Sequence, residues 1–257
     1  MADSVAQGPT PDGVAGVVLA AGEGRRLRPL TRVLPKPLCP VANRPLVDHA
    51  VVAVRFACAD VAVNVHHGRD AMETHLAGSG VHLSVEAERP LGTAGAIGRL
   101  SGWLGGRAAL VVNADTVHDA DLHEFVSGWD GERVRVLTAT PGPFGPRSSV
   151  VASIVPAAAA RRLTEEPSGL WEVLWREEAA AGRLDAVLHS GRVLDCGTPA
   201  DYLAANLLLS GGAAVVGEGA VVEGIVERSV VWPGSHVGRH EHLVDAVRAG
   251  RLTVLVR

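Results

Sequence analysis

The chain has 257 residues, of which 47% are apolar and 20% charged, with a formal net charge of −4. That size and balance describe one large α/β domain, alone or with a small appendage. A negative balance with no visible basic face argues against a nucleic-acid partner, and no run reaches the ~18 apolar residues of a membrane span. Cys39, Cys58 and Cys196 have no CxxC spacing and read as reduced, small apolar residues of a cytoplasmic protein.

Taken in order, residues 1–12 are small, polar and proline-containing, which predicts a disordered leader with no signal peptide. Residues 13–20 (GVAGVVLA) have the length and character of a buried parallel strand. The run breaks at Gly22, Glu23 and Gly24 and turns basic at Arg25, Arg26, Arg28 and Arg32. Glycines at a strand end bare backbone N–H groups and allow close approach, so arginines beside them make a socket for polyphosphate. A ligand-free coil would be Gly-rich too, so the turn alone identifies nothing. Lys36 sharpens the reading. It is the single lysine among 24 lysine and arginine residues, a compact ammonium held on a backbone stiffened by Pro35 and Pro37.

A helix is expected over 45–56, with Asn43 as N-cap and Leu46, Ala50, Val51 and Val54 at helical spacing. Strand 61–65, helix 69–76, strand 81–86, helix 95–104 and strand 108–112 follow. From 119 to 170 the pattern loosens, and the Pro- and Gly-rich stretch 140–146 is a loop placed to border a substrate. Helices are expected again over 170–181 and 199–209. The alternation predicts an α/β fold, a Rossmann-like, mainly parallel sheet with helices on both faces. Ligands of such sheets sit beyond the carboxyl ends of the strands, where the Gly22 to Gly24 turn lies. Residues 13–210 form this domain. From 211 to 257, apolar pairs separated by Glu-Gly and Pro-Gly turns predict a short β appendage. It is either two or three hexapeptide rungs of a β-helix or a β meander, packed on the main domain or across a homodimer.

Asp115 follows the apolar strand 108–112 directly, where a carboxylate points into the ligand crevice and can hold Mg²⁺ against a phosphate; a helix cap is the alternative. Asp195 opens DCGTPADYL, in which Thr198 caps a helix that Pro199 begins, leaving Asp195 free of the cap. LGTAGA, residues 91–96, supplies small residues where a backbone can approach a base. His66, His67, His236, His240 and His242 lack zinc-ligand spacing and read as structural or surface groups. Trp171 and Trp175 stand at i, i+4 and predict packing.

LAAGEGRRLRPLT, then PKPLCPVANRPLVDH, and later DCGTPADYL resemble the signatures of sugar-1-phosphate nucleotidyltransferases. Neither a Walker A loop nor a dinucleotide fingerprint fits the same glycines. The resemblance implies a nucleotidyltransferase fold and a Mg²⁺-dependent reaction between a nucleoside triphosphate and a sugar 1-phosphate. It puts the catalytic arginine at Arg26 and the phosphate-binding lysine at Lys36. Leu19, Ala20, Ala21, Gly22, Glu23, Gly24 and Arg25 would wrap the nucleotide, joined by Glu86, Gly92, Thr93 and Asn113. Asp115 and Asp195 would hold the metal. The Pro-Leu-Gly-Thr-Ala-Gly form, residues 90–95, is most similar to mannose-1-phosphate guanylyltransferases, which implies GTP with mannose 1-phosphate or a related sugar phosphate. UTP or dTTP with a glucose or N-acetylmuramic acid phosphate is the alternative. A catalytically silent, regulatory nucleotide-sugar-binding paralogue is the alternative of another class.

Three departures stand out. Arg25 replaces a threonine and Ala114 a glycine. The family's mid-chain Glu-Lys-Pro is matched only by Glu165-Glu166-Pro167, with no second lysine to take the role. Either Arg147, Arg161 or Arg162 substitutes, or the sugar-binding region is shortened.

Overall fold

The computed structural model describes residues 13–256, so the expected leader lies outside the described residues. The chain is built on seven strands: β1 (Val14–Leu19), β2 (Val61–Val65), β3 (His82–Val85), β4 (Ala108–Asn113), β5 (Val134–Thr138), β6 (Val150–Val155) and β7 (Leu184–Leu188). Their spatial order is β7-β5-β6-β4-β1-β2-β3. Neighbours run parallel except at β6, which is antiparallel to both β4 and β5. Strands β1 to β3 spread to one side, and the chain then crosses back to lay β4 on the other flank of β1. Such a reversal opens a crevice beyond the carboxyl ends of the two central strands. The register there sets Leu19 between Asn64 and Asn113.

Strand β1 is apolar throughout because both of its faces are covered. Val14 and Val18 pack with Val47, Ala50, Val51 and Val54 of helix α1 (Leu46–Arg55) and with Met72 and Leu76 of α2 (Arg69–Leu76). Ala15 and Val17 pack on the opposite face with Ala94 and Ile97 of α3 (Gly92–Arg99). Among the described residues no helix is long and apolar enough to cross a membrane. All three cysteines are free and buried.

Several expected elements shift. Asn43 does not cap α1: it sits at φ +63° and its side-chain amide donates to the Val216 carbonyl, while Pro45 precedes the helix. Helix α3 begins at Gly92 rather than at residue 95 and stops at Arg99, before a separate turn Ser101–Leu104. The loosened stretch contains helix Leu122–Ser127 and the antiparallel pair β5–β6. Its Pro- and Gly-rich loop is the connection of that pair, which obscured the alternation on either side. Trp171–Trp175 winds as a π-helical turn before the α-helical turn Arg176–Ala180.

Helix α4 (Pro199–Leu209) is capped by the Thr198 side chain, which accepts from the Asp201 N–H. The chain then coils through short parallel pairs. Val215–Val216 pairs with Val230–Val231, Val221–Val222 with His236–Val237, and Ile225–Glu227 with His242–Val244. Val230–Val231 pairs in turn with Ala246–Ala249, and antiparallel Leu252–Leu255 closes the stack. Parallel pairs about one coil apart are the pattern of stacked rungs, whereas a meander would pair its strands antiparallel. Tyr202, Leu203, Val230, Trp232, Val247 and Ala249 form one core with Leu27, Leu30, Cys39, Val41 and Cys196. The rungs are thereby seated against the loop that carries Lys36.

Candidate active site

Beyond β1 the chain turns at Gly24, whose φ of +66° suits glycine, and an added Cβ there would lie 2.8 Å from Cβ of Lys36. At Gly22 an added Cβ would meet no atom within 4 Å, since that position opens onto a cleft. Lys36 lies in the turn Lys36–Leu38, is 8% exposed, and donates through Nζ to Oδ2 of Asp115 at 2.8 Å.

The basic stretch is less uniformly basic than its composition. Glu23 accepts from Arg25 with one carboxylate oxygen and from Arg28 with the other. The Arg25 hydrogen bond holds the Glu23 carboxyl below the usual carboxylate range. Arg26 is left apart, with Nη2 3.9 Å from Oδ2 of Asp195 and its side chain 70% exposed. Arg26 and Lys36 are therefore the cations of this cleft that Glu23 does not engage.

The two aspartates come from distant segments that meet. Thr116–His118 pairs antiparallel with Val193–Asp195, Thr116 opposite Asp195, and the Cys196 N–H donates to the Asp115 carbonyl at 3.0 Å. Burial raises the Asp195 pKa above its ordinary value, and the Asp115 charge raises it further. Two hard oxygen donors whose charges oppose one another suit a divalent cation that neutralises both.

Glu86, implied to touch nucleotide, acts one step back. It is 2% exposed and spans Asn64 and the second glycine loop. Its Oε1 accepts from Nδ2 of Asn64 at 2.7 Å, and its Oε2 accepts from the Leu91 N–H at 2.8 Å. Asn64 Oδ1 accepts from the Ala20 N–H at 2.7 Å, so a buried relay ties the two glycine loops together. Sequence reasoning missed Asn64. Its signal was a lone amide inside an otherwise apolar strand, which must find partners when buried.

Gly92 and Thr93 do line the cleft, but the small residues of α3 answer another need first. Cβ atoms at Gly92, Gly95 and Gly98 would lie 2.6, 2.6 and 2.2 Å from the carbonyls of Ser168, Glu166 and Thr164. Alternate residues of one extended segment lie in a glycine groove. The Glu-Glu-Pro at 165–167 belongs to that segment. Glu166, at the position of the family's lysine, pairs with Arg89 at 3.0 Å, and Glu165 pairs with Arg99 at 2.8 Å. Arg147, Arg161 and Arg162 are not among the residues lining the cleft. His66 and His67 bond through Nδ1 to the carbonyls of Glu86 and Ala21, holding the loops from behind.

The resulting cleft has a volume of about 500 Å³. Its walls include Leu19, Ala20, Ala21, Gly22, Glu23, Gly24, Arg25, Arg26, Lys36, Asn64, Gly92, Thr93, Asn113 and Asp115. Asp195 stands at its rim beside Gly197 and Arg26.

A family model described as nucleotidyl transferase matches residues 15–145. A mannose-1-phosphate guanyltransferase of Pichia angusta is 36% identical over 140 residues, covering 50% of this chain and 38% of that protein. The chain thus spans well under half the length of that relative. An N-acetylmuramate alpha-1-phosphate uridylyltransferase of Caulobacter vibrioides is 30% identical over 232 residues, covering 76% of this chain and 96% of that one. A solved Bacillus anthracis structure, provisionally named a glucose-1-phosphate thymidylyltransferase, superposes with a TM-score of 0.63 at 21% identity, over 76% of this chain and 94% of that one. At that identity the likeness speaks for the fold.

Proposed function

The chain belongs to the nucleotidyl transferase family, and from that premise we propose that it converts a nucleoside triphosphate and a sugar 1-phosphate to a nucleoside diphosphate sugar and pyrophosphate. A phosphate oxygen of the sugar 1-phosphate attacks the α-phosphorus, and the bond to the β-phosphate oxygen breaks as pyrophosphate departs. Such a transfer needs no nucleophilic side chain, only positioning and charge neutralisation. N–H groups of the Gly22 to Gly24 turn hold the triphosphate, Arg26 offsets charge on the departing pyrophosphate, and Lys36 offsets charge at the α-phosphate. Asp115 and Asp195 are the pair that would hold Mg²⁺, which when bound supplies further neutralisation of phosphate charge.

The observation that carries this reading is Lys36. The single lysine of the chain is buried, braced by two prolines and aimed across the cleft at Asp115. GTP with mannose 1-phosphate is the preferred pair, on the Pro-Leu-Gly-Thr-Ala-Gly form of the second glycine loop; UTP or dTTP is the alternative. The free buried cysteines accord with a reducing compartment. Pyrophosphate release, measured with Mg²⁺ over the common triphosphates and a panel of sugar 1-phosphates, tests the proposal. One productive pair is expected, and Lys36→Ala should lower turnover about 10²–10³-fold, the usual effect of removing one preorganised charge. Near-normal turnover in that variant would sink the reading.

Glu166 keeps a second reading open, that of a nucleotide-sugar binder without turnover, because a carboxylate occupies the position of a phosphate-holding lysine. Saturable binding of a nucleoside diphosphate sugar with no pyrophosphate release would select it.

A further inference from the structure

A second compartment of about 290 Å³ adjoins the cleft, with Leu19, Thr93 and Asn113 in the walls of both. Trp171 and Trp175 form part of its wall. Phe144, in the loop between β5 and β6, stands edge-on to both indoles with ring centroids 5.8 Å away in each case. That wedge fixes the aromatic wall. The Trp175 Nε1 is buried with no hydrogen-bond partner among the described residues, although buried indole N–H groups ordinarily find an acceptor. A flat apolar wall with one unused donor suits the C–H face of a pyranose and one of its hydroxyls.

The charge of the compartment is one-sided. Among the described residues Glu172 is the single charged one lining it. Its carboxylate folds back over Gly169, Oε2 lying 2.1 Å from where a Cβ on that glycine would stand. Glu165 and Glu166 are spoken for by Arg99 and Arg89, so neither arginine is free to offset it.

We propose, on the footing of nucleotidyl transfer, that this compartment receives the ring of the sugar phosphate and selects rings that carry no carboxylate. Its substrate class is a hexose 1-phosphate whose ring carries no ionised group. The Caulobacter relative is named for N-acetylmuramate, a sugar whose lactyl carboxyl is ionised at neutral pH. In this chain that group would face Glu172 with no counter-cation in the wall.

The test follows tryptophan emission while the full chain is titrated with mannose 1-phosphate or N-acetylmuramate 1-phosphate. The uncharged ring is expected to bind at least about tenfold more tightly, a modest like-charge penalty. Glu172→Gln should narrow that gap, and Trp175→Phe, which keeps a ring but removes the donor, should weaken mannose 1-phosphate. Equal affinities in the wild type overturn the proposal, as does a gap that Glu172→Gln leaves unchanged, or no binding of either sugar. Pyrophosphate release on the same panel separates the two claims. Preserved sugar preference without turnover would defeat nucleotidyl transfer while leaving the selectivity of the compartment standing.

Discussion

Asp195 carries a negative charge that its surroundings oppose. Burial and the neighbouring Asp115 charge raise its pKa, and Lys36 and Arg26 offset only part of the effect. With the folded pKa above the unfolded one, the native chain retains the proton to higher pH, so stability falls as pH rises through that window. Asp195→Asn is expected to remove this dependence and to raise the melting temperature of metal-free protein at neutral pH while abolishing turnover. Thermal melts in chelator from acid to neutral pH check it; a lower melting temperature at neutral pH would contradict it. Lys36 is equally particular. Lys36→Arg should fail to restore turnover, because the side chain packs against Gly24 in a space fitted to a linear stem and a compact ammonium.

Helix α3 shows how a local motif can serve two masters. Its glycines admit the 164–168 backbone on one side while its first turn lines the cleft on the other. Gly98→Ala would drive a Cβ into the Thr164 carbonyl, and overpacking of that kind costs about 1–3 kcal/mol. Urea denaturation measures it, and because Gly98 lies two turns from the cleft, pyrophosphate release under folding conditions should change little. The same helix marks what could be read beforehand. Helix 199–209 was legible to the residue, since Thr198, Pro199 and Asp201 spell an N-terminus in local chemistry. The strand 61–65 was legible as well, yet nothing local said that Asn64 reaches Ala20 and Glu86, because those partners are brought near only by the sheet. Likewise nothing local said that Arg25 and Arg28 pair with Glu23. Strands β5 and β6 were lost for a different reason: residues 140–146 look like a break between regions and are in fact a hairpin connection.

At the scale of the whole molecule, four apolar clusters divide the labour, the smallest being Val231, Val237, Leu243 and Ala246 inside the rungs. Two lie on the faces of the sheet, and the third joins the Lys36 loop, helix α4 and the rungs. At its centre Tyr202 donates to the Pro40 carbonyl and accepts from the Trp232 indole N–H at 2.9 Å. Burial pushes the thiols of Cys39, Cys58 and Cys196 up to about 12, so none forms a thiolate at neutral pH. Alkylation therefore reports the cores separately. The intact chain should resist iodoacetamide at all three cysteines. A chain ending at residue 210 should expose Cys39 and Cys196, which belong to the third core, while Cys58, in the core on one face of the sheet, stays protected. Peptide mapping of the label decides it, and uniform protection after truncation would deny the rungs any supporting role.

That third core also imposes an order on synthesis. Pro40 finds its partner 162 residues later at Tyr202, and the Ala42 N–H finds the Asn206 side chain 164 residues later. Contacts so distant form late, after local ones have been made. A ribosome that has released β1 to β4 but not yet α4 holds a chain whose sheet can already pair, while the Lys36 loop has no floor to settle on. Order in the Lys36 loop is then gained only once α4 has emerged, and shorter nascent chains hold that loop in an unset form.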